Sequence, residues 1–135
     1  MQRDVYFGSV KLHGAEHPET LREANNYANS LRNQQRFKEA ESLMRKTIPV
    51  ARRVLKDGDD LTLMMRNNYA AALYLDTDAT LDDLREAVTT LEDAERIARR
   101  VLGGAHPTKE GIEAALREAR AALRARETPS SGPGA

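Results

Sequence analysis

Two histidines in this sequence have the spacing of a metal-binding pair. His13 and His17 are four residues apart, which would place both imidazoles on one face of a helix, as in many zinc sites. Gly14 lies between them and Pro18 follows, so this segment is predicted to be a turn that leads into a helix. We therefore expect no zinc there, and we interpret His17 and His106 as residues at helix starts.

An acidic segment later in the chain imitates the start of a calcium-binding loop. Leu81 stands where such a loop needs glycine, and Ala87 stands where it needs its final glutamate. We therefore interpret the segment as a solvated acidic loop followed by a helix cap, and we predict no metal and no other cofactor. The residues that carry the imitation are Asp76, Asp78, Thr80 and Asp82.

Residue types that catalyse reactions are not arranged for catalysis in this chain. Cysteine is absent, which excludes thiolate nucleophiles and disulfides. There is no pair of carboxylates with a supporting base, no serine–histidine–aspartate arrangement and no glycine-rich phosphate loop. The sequence predicts a protein that is not an enzyme.

The charge balance argues against general binding to nucleic acid. Lys and Arg number 21 and Asp and Glu number 21, so the formal net charge is zero, whereas displacing counterions from phosphates needs excess cation. We also find no signal peptide and no apolar run that could span a membrane, which predicts a cytoplasmic protein. The last predicted helix has a basic side that we interpret as a solvated face, made of Arg117, Arg120, Arg124 and Arg126.

An internal repeat determines the predicted architecture. The segment NNYANSL at residues 25–31 reappears as NNYAAAL at 67–73, a step of 42 residues. The segment RRVL at 52–55 recurs at 99–102, a step of 47, so about five residues were inserted, within the acidic stretch 76–83. Repeats of this length usually stack, and the stack presents a surface for binding another molecule.

Apolar residues at steps of three and four predict helices throughout and no sheet. Two long amphipathic helices are predicted near residues 37–54 and 84–101, and a shorter helix precedes each. Pro49 lies inside the first long helix and is expected to bend it near Thr47 and Ile48 without dividing the domain. Small residues are expected where the helices of a pair cross closely, namely Ala28, Ala40, Ala70 and Ala87.

The predicted organisation is one repeat domain over residues 1–127 followed by a disordered tail rich in Pro, Ser and Gly. The parts are a partial repeat at 1–13, a repeat at 14–56, a repeat with the insertion at 57–103, a capping helix at 107–127 and the tail at 128–135.

Three motifs of the first repeat resemble the tetratricopeptide repeats of kinesin light chains. They are GAEHPETL at residues 14–21, NNYA at 25–28 and RFKEAE at 36–41. The second repeat departs from this pattern, with Asp59-Asp60 for His-Pro and Lys56 for glycine, and the first repeat has Gln35 where the inter-helix turn usually has glycine. HEAT and armadillo repeats have similar periods but match these motifs less well. The resemblance implies an all-α solenoid of antiparallel helix pairs with a C-terminal capping helix.

The resemblance also implies where a ligand binds. The shorter helices of such a stack line its concave face, and asparagine, as both donor and acceptor, can hold the backbone of an extended peptide. The alternative is that the asparagines cap turns or bond neighbouring helices within the stack. The implied contact residues are Asn25, Asn26, Asn29, Asn67 and Asn68, with Arg22, Arg32, Asn33 and Arg66 nearby.

The function expected from these features is that of a non-catalytic module that binds a peptide or protein segment. The alternative is a structural subunit or scaffold docked permanently in a larger assembly. An exposed apolar surface at the start of the chain is predicted to support self-association or docking on another subunit, through Val5, Tyr6, Phe7 and Val10.

Overall fold

A computed structural model describes residues 1–103 and 105–128, and within these residues the chain forms six α-helices and no strand. The all-α prediction is confirmed. Of the predicted tail at 128–135 only Thr128 lies within the described residues, and Gly104 also lies outside them. The helices are α1 (Gln2–His13), α2 (Pro18–Asn33), α3 (Phe37–Leu55), α4 (Asp60–Tyr74), α5 (Leu81–Val101) and α6 (Pro107–Glu127).

Side-chain caps begin α2, α4, α5 and α6, although the two repeats use different residues for them. His17, Asp59 and His106 each accept the backbone N–H two residues further on, at 3.0, 2.9 and 3.1 Å, at the starts of α2, α4 and α6. Asp59 therefore does for the second repeat what the histidine does elsewhere. Thr80 and Asp83 form the capping box expected after the acidic loop.

The turns that follow α1 and α3 have the same backbone geometry despite different residues. Gly14 has φ 90° and ψ 162°, and Lys56 has φ 82° and ψ 158°. This region of φ and ψ is natural for glycine and strained for lysine. Gln35, between α2 and α3, also has a positive φ of 61°. The repeat geometry is thus kept at two positions where the favoured glycine is missing.

Helix α3 runs continuously past Pro49 to Leu55. Proline lacks an N–H, so the carbonyl of Arg45, four residues earlier, loses its usual helical partner. Thr47 lies one turn after Leu43 and donates from its hydroxyl to the Leu43 carbonyl at 2.8 Å. Bonds of this kind from threonine often accompany a bend, and the predicted bend near Thr47 and Ile48 stays a prediction.

The helices stack as two layers around α4. Helices α2, α4 and α6 contact one another in sequence, while α3 and α5 pack on the other side, each against the helices before and after it. Because α4 contacts four other helices, eleven of its fifteen residues are buried. The four alanines predicted at the crossings are fully buried, which lets the backbones approach closely.

Helix α1 packs on α2, so the prediction that all four residues of its apolar surface are exposed is wrong in part. Tyr6 is only 3% exposed and its ring lies 5.9 Å from that of Tyr27, while Val10 packs against the same core. Val5 and Phe7 do face solvent, each nearly half exposed. Two of the four residues proposed for association are therefore occupied inside the molecule, because one stripe of α1 must cover α2.

Candidate functional site

Most of the asparagines that the sequence predicts as ligand contacts line one groove, on the side of the stack formed by α2, α4 and α6. The groove has a volume of about 440 Å³, and we call it the inner groove. Amide side chains from both repeats line it. Its lining residues are Asn25, Asn26, Asn29, Met64, Asn67, Asn68, Pro107, Thr108 and Gly111.

The central contact of the inner groove is a hydrogen bond between the repeats. The Asn68 amide Nδ2 donates to Asn25 Oδ1 at 2.7 Å, and both side chains are buried. This arrangement matches the alternative interpretation of these two residues, in which they bond neighbouring helices within the stack. A hydrogen bond between buried amides holds α2 against α4 and fixes the shape of the groove floor.

The other two asparagines of the repeated pairs have no such bond. Asn26 is exposed, and its Nδ2 donates only to Glu23 at 3.3 Å on the same helix. The Oδ1 of Asn67 is buried and finds no donor among the described residues. Asn68 stands nine residues after its helix cap, and the same position in α6 is Ala115. The capping helix therefore has no amide to offer Asn67.

Three more predicted residues lie at the end of α2. Arg32 donates from Nη2 to Asn29 Oδ1 at 2.7 Å, which holds that amide at the groove wall. Asn33 is exposed and lines two neighbouring hollows, one with Gln2 of α1 and one with the loop after α4. Arg32 and Asn33 thus flank the inner groove instead of lining it.

The structure separates two of the predicted residues from the inner groove. Arg22 is exposed and lies 3.8 Å from Glu19 on the same helix. Arg66 lies on the opposite side of α4, where its Nη2 donates to Asp93 of α5 at 2.8 Å and only 7% of its side chain is exposed. Because its side chain points towards α5, Arg66 does not join Asn67 and Asn68 in the inner groove.

Sequence reasoning missed the apolar part of the groove. Met64 is 38% exposed and lies one turn before Asn67 and Asn68, so helical spacing would have placed it beside them. Pro107 and Thr108 at the start of α6 complete the wall. The groove thus combines amides with one exposed thioether, a side chain that adapts to different apolar partners.

The histidines and aspartates whose spacing imitates metal sites make other contacts in the structure. His17 caps α2 through Nδ1, and its ring stacks on that of His13 at 4.6 Å. Asp76 accepts the backbone N–H of Asp78 at 2.9 Å and lies 3.7 Å from the Lys38 ammonium. Across residues 1–103 and 105–128, no group of His, Asp or Glu side chains is arranged to hold a metal ion. Within the same residues no helix combines the length and apolarity needed to cross a membrane.

The sequence model of one protein family matches part of the chain. Residues 20–60 match the model of the tetratricopeptide repeat, a segment that runs from α2 through α3 to the first residue of α4. The tetratricopeptide assignment of the repeat is confirmed, while its kinesin-light-chain type stays a prediction. No curated protein matches the sequence.

Proposed function

We propose that this chain is a non-catalytic module that binds an extended segment of a partner protein in the inner groove. Tetratricopeptide repeats in general serve protein–protein interaction, and residues 20–60 match that family. Bonding between buried Asn25 and Asn68 would hold the groove in shape before a partner arrives. Pre-organisation of this kind lowers the entropy lost on binding.

The observation that carries the proposal is the unpaired carbonyl oxygen of Asn67. A buried acceptor without a donor is unfavourable, so little holds the Asn67 amide in place, and once it turns towards the groove a backbone N–H of a bound peptide would satisfy its oxygen. Asn26 and Asn29 are exposed on the facing wall and offer further amide groups. Met64 offers an apolar contact between them. We therefore expect a peptide ligand with at least one apolar side chain beside its bonded backbone.

The test uses a variant that fills the inner groove without disturbing the fold. A Cβ placed on Gly111 meets nothing within 4 Å, so Gly111→Tyr adds a ring to the open groove. Gly8→Tyr is the matched control, because Gly8 of α1 has equally open surroundings and lies outside the groove. Both changes replace a helical glycine, so neither is expected to lower the melting temperature.

Peptides selected from a random displayed library on the natural protein are the probes. We expect Gly111→Tyr to weaken their binding by about tenfold or more, and Gly8→Tyr to leave it unchanged. Amide chemical shifts of the labelled protein should move along the inner faces of α2, α4 and α6. Equal binding to both variants, or shifts confined to other faces, would contradict the proposal.

A second candidate function, permanent docking in a larger assembly, is favoured by the outer face of α1. Val5 and Phe7 are nearly half exposed there, and the guanidinium of Arg3 lies 5.5 Å from the Phe7 ring. If α1 docks on another subunit or a second copy, Phe7→Asp should abolish the association while the helical circular dichroism signal persists. Light scattering that finds the natural protein monomeric at high concentration would rule out the second copy.

A further inference from the structure

A second hollow lies on the side of α4 opposite the inner groove, between α3 and α5. Its volume is about 230 Å³, and we call it the outer pocket. Helices α3 and α5 both pack on α4, which forms its floor. Three arginines and one glutamate share the lining with an apolar wall, so the main residues are Arg45, Ile48, Pro49, Arg52, Arg66 and Glu86.

The floor of the outer pocket contains the buried guanidinium of Arg66, and only one of its two terminal nitrogens has a hydrogen-bond partner among the described residues. The Arg66 side chain is 7% exposed, and its Nη2 donates to Asp93 at 2.8 Å. Its Nη1 is buried and meets no acceptor among the described residues. A buried guanidinium N–H without an acceptor is unfavourable, so this site is incomplete without a further oxygen atom.

Two more arginines stand at the rim with their side chains restrained. Arg52 donates from Nε to Asp57 at 2.5 Å. The guanidinium of Arg45 lies 5.4 Å from the centre of the Tyr69 ring, and the Tyr69 hydroxyl donates to Glu86. These contacts hold the cations around the opening without filling it. Arg45 also pairs with Glu41 at 3.1 Å, so each of the three arginines already has a carboxylate partner. Within the described residues the pocket therefore offers one buried, unused donor, Nη1 of Arg66, which suits a single carboxylate better than a doubly charged phosphate.

We propose that the outer pocket binds the carboxylate of an acidic side chain from a partner polypeptide. The carboxylate would accept from the free Nη1 of Arg66, since guanidinium and carboxylate form strong charge-assisted hydrogen bonds. Ile48 and Pro49 would pack on the methylene groups of that side chain. The volume is below the usual range for small-molecule sites and fits one side chain. This site is independent of the inner groove.

The experiment follows the arginine side-chain N–H signals of the isotope-labelled full chain by NMR. The probes are two mixtures of acetylated and amidated heptapeptides with random flanks, one with glutamate at the centre and one with glutamine. Propionate is a third probe, and it represents a free carboxylate. We expect the glutamate mixture to shift the Arg66 signal at about tenfold lower concentration than the glutamine mixture or propionate.

Two variants assign the effect to the outer pocket. Arg66→Met removes the Arg66 signal itself, so the response is followed there on the Arg45 and Arg52 signals, whose shifts with the glutamate mixture it should abolish. The variant should still fold, because Asp93 keeps its 2.5 Å contact with Arg96. Arg53→Met is the matched control, since Arg53 pairs with Glu16 elsewhere on the surface and should leave the response intact. Arg45→Gln, at the rim, should weaken it and provides a second test if Arg66→Met melts early.

Three results would overturn the proposal. Equal responses to glutamate and glutamine peptides would show that charge is not recognised. A response that survives Arg66→Met would place the site elsewhere. Propionate acting at the same concentration as the glutamate peptides would assign the pocket to a free small carboxylate rather than a partner protein.

Discussion

The first and second repeats carry the same asparagine pair in different surroundings. Asn25 is buried and Asn26 exposed in the first repeat, whereas in the second Asn68 is buried and bonded and Asn67 keeps an unpaired oxygen. The bond joins the second asparagine of one repeat to the first asparagine of the repeat before it. The pair thus forms a ladder between neighbouring repeats, and its outer members are the ones left to bind something else.

The largest predicted effect comes from breaking the ladder at its bonded members. Asn68→Ala should lower the free energy of unfolding by about 1–3 kcal/mol, because it leaves the buried Asn25 oxygen without a donor. Asn26→Ala, at the equivalent position of the first repeat, should change it by less than about 0.5 kcal/mol because that residue is exposed. Denaturant titration of both variants measures the difference, and equal losses would refute the ladder.

The turns after α1 and α3 have the same backbone conformation, but the first has Gly14 and the second has Lys56. Lys56→Gly should raise the free energy of unfolding by about 1–2 kcal/mol, since lysine at φ 82° is strained and glycine is not. Gly14→Lys, at the equivalent turn, should lower it by a similar amount. Thermal melts of the two single variants and of the exchange variant check this. If Lys56→Gly is neutral, the lysine turn carries no strain.

A ladder can be extended as well as broken. Ala115→Asn places an amide at the α6 position equivalent to Asn68, where the repeat register predicts a bond to Asn67, and it should raise the free energy of unfolding by about 0.5–1 kcal/mol. The same change should weaken peptide binding in the inner groove, because the Asn67 oxygen is then already bonded. Stability and peptide affinity measured on this variant must move in opposite directions, and a joint rise in both would contradict the role given to Asn67.

The smallest predicted effect separates the repeats by their response to acid. Asp57 and Asp93 in the second repeat have lowered pKa values because Arg52 and Arg66 donate hydrogen bonds to them. A carboxyl whose folded pKa is below the unfolded value of about 3.9 contributes stability above that value and loses it as the pH falls through the folded pKa.

Exposure limits this contribution to a few tenths of a kcal/mol for each carboxylate. Asp57→Asn with Asp93→Asn should therefore flatten the fall in stability below about pH 4. Glu16→Gln, which removes a surface partner of Arg53 in the first repeat, is the control. Denaturant midpoints recorded between pH 6 and pH 2 test this prediction. If the midpoint of the double variant falls with pH as steeply as that of the natural protein, the prediction is wrong.

Functional residues were harder to predict from the sequence than helices, and α4 shows the reason. Repetition identifies Asn67 and Asn68, but nothing in the sequence shows that Arg66 beside them faces Asp93 on the opposite side of α4. An exposed helix reveals its buried face by its apolar stripe. Because α4 contacts four helices, eleven of its fifteen residues are buried and no single apolar stripe stands out.

The sequence by itself determined the all-α class, the repeat, the capping box at Thr80 and the alanines at the crossings. All of these depend on local periodicity and on contacts that recur in every repeat, so one repeat predicts the next. Only the tertiary structure decided which asparagines bond each other, that Tyr6 lies inside and that Arg66 lines the outer pocket. These depend on which helix lies beside each residue, and that neighbour differs between an inner repeat and a capping helix.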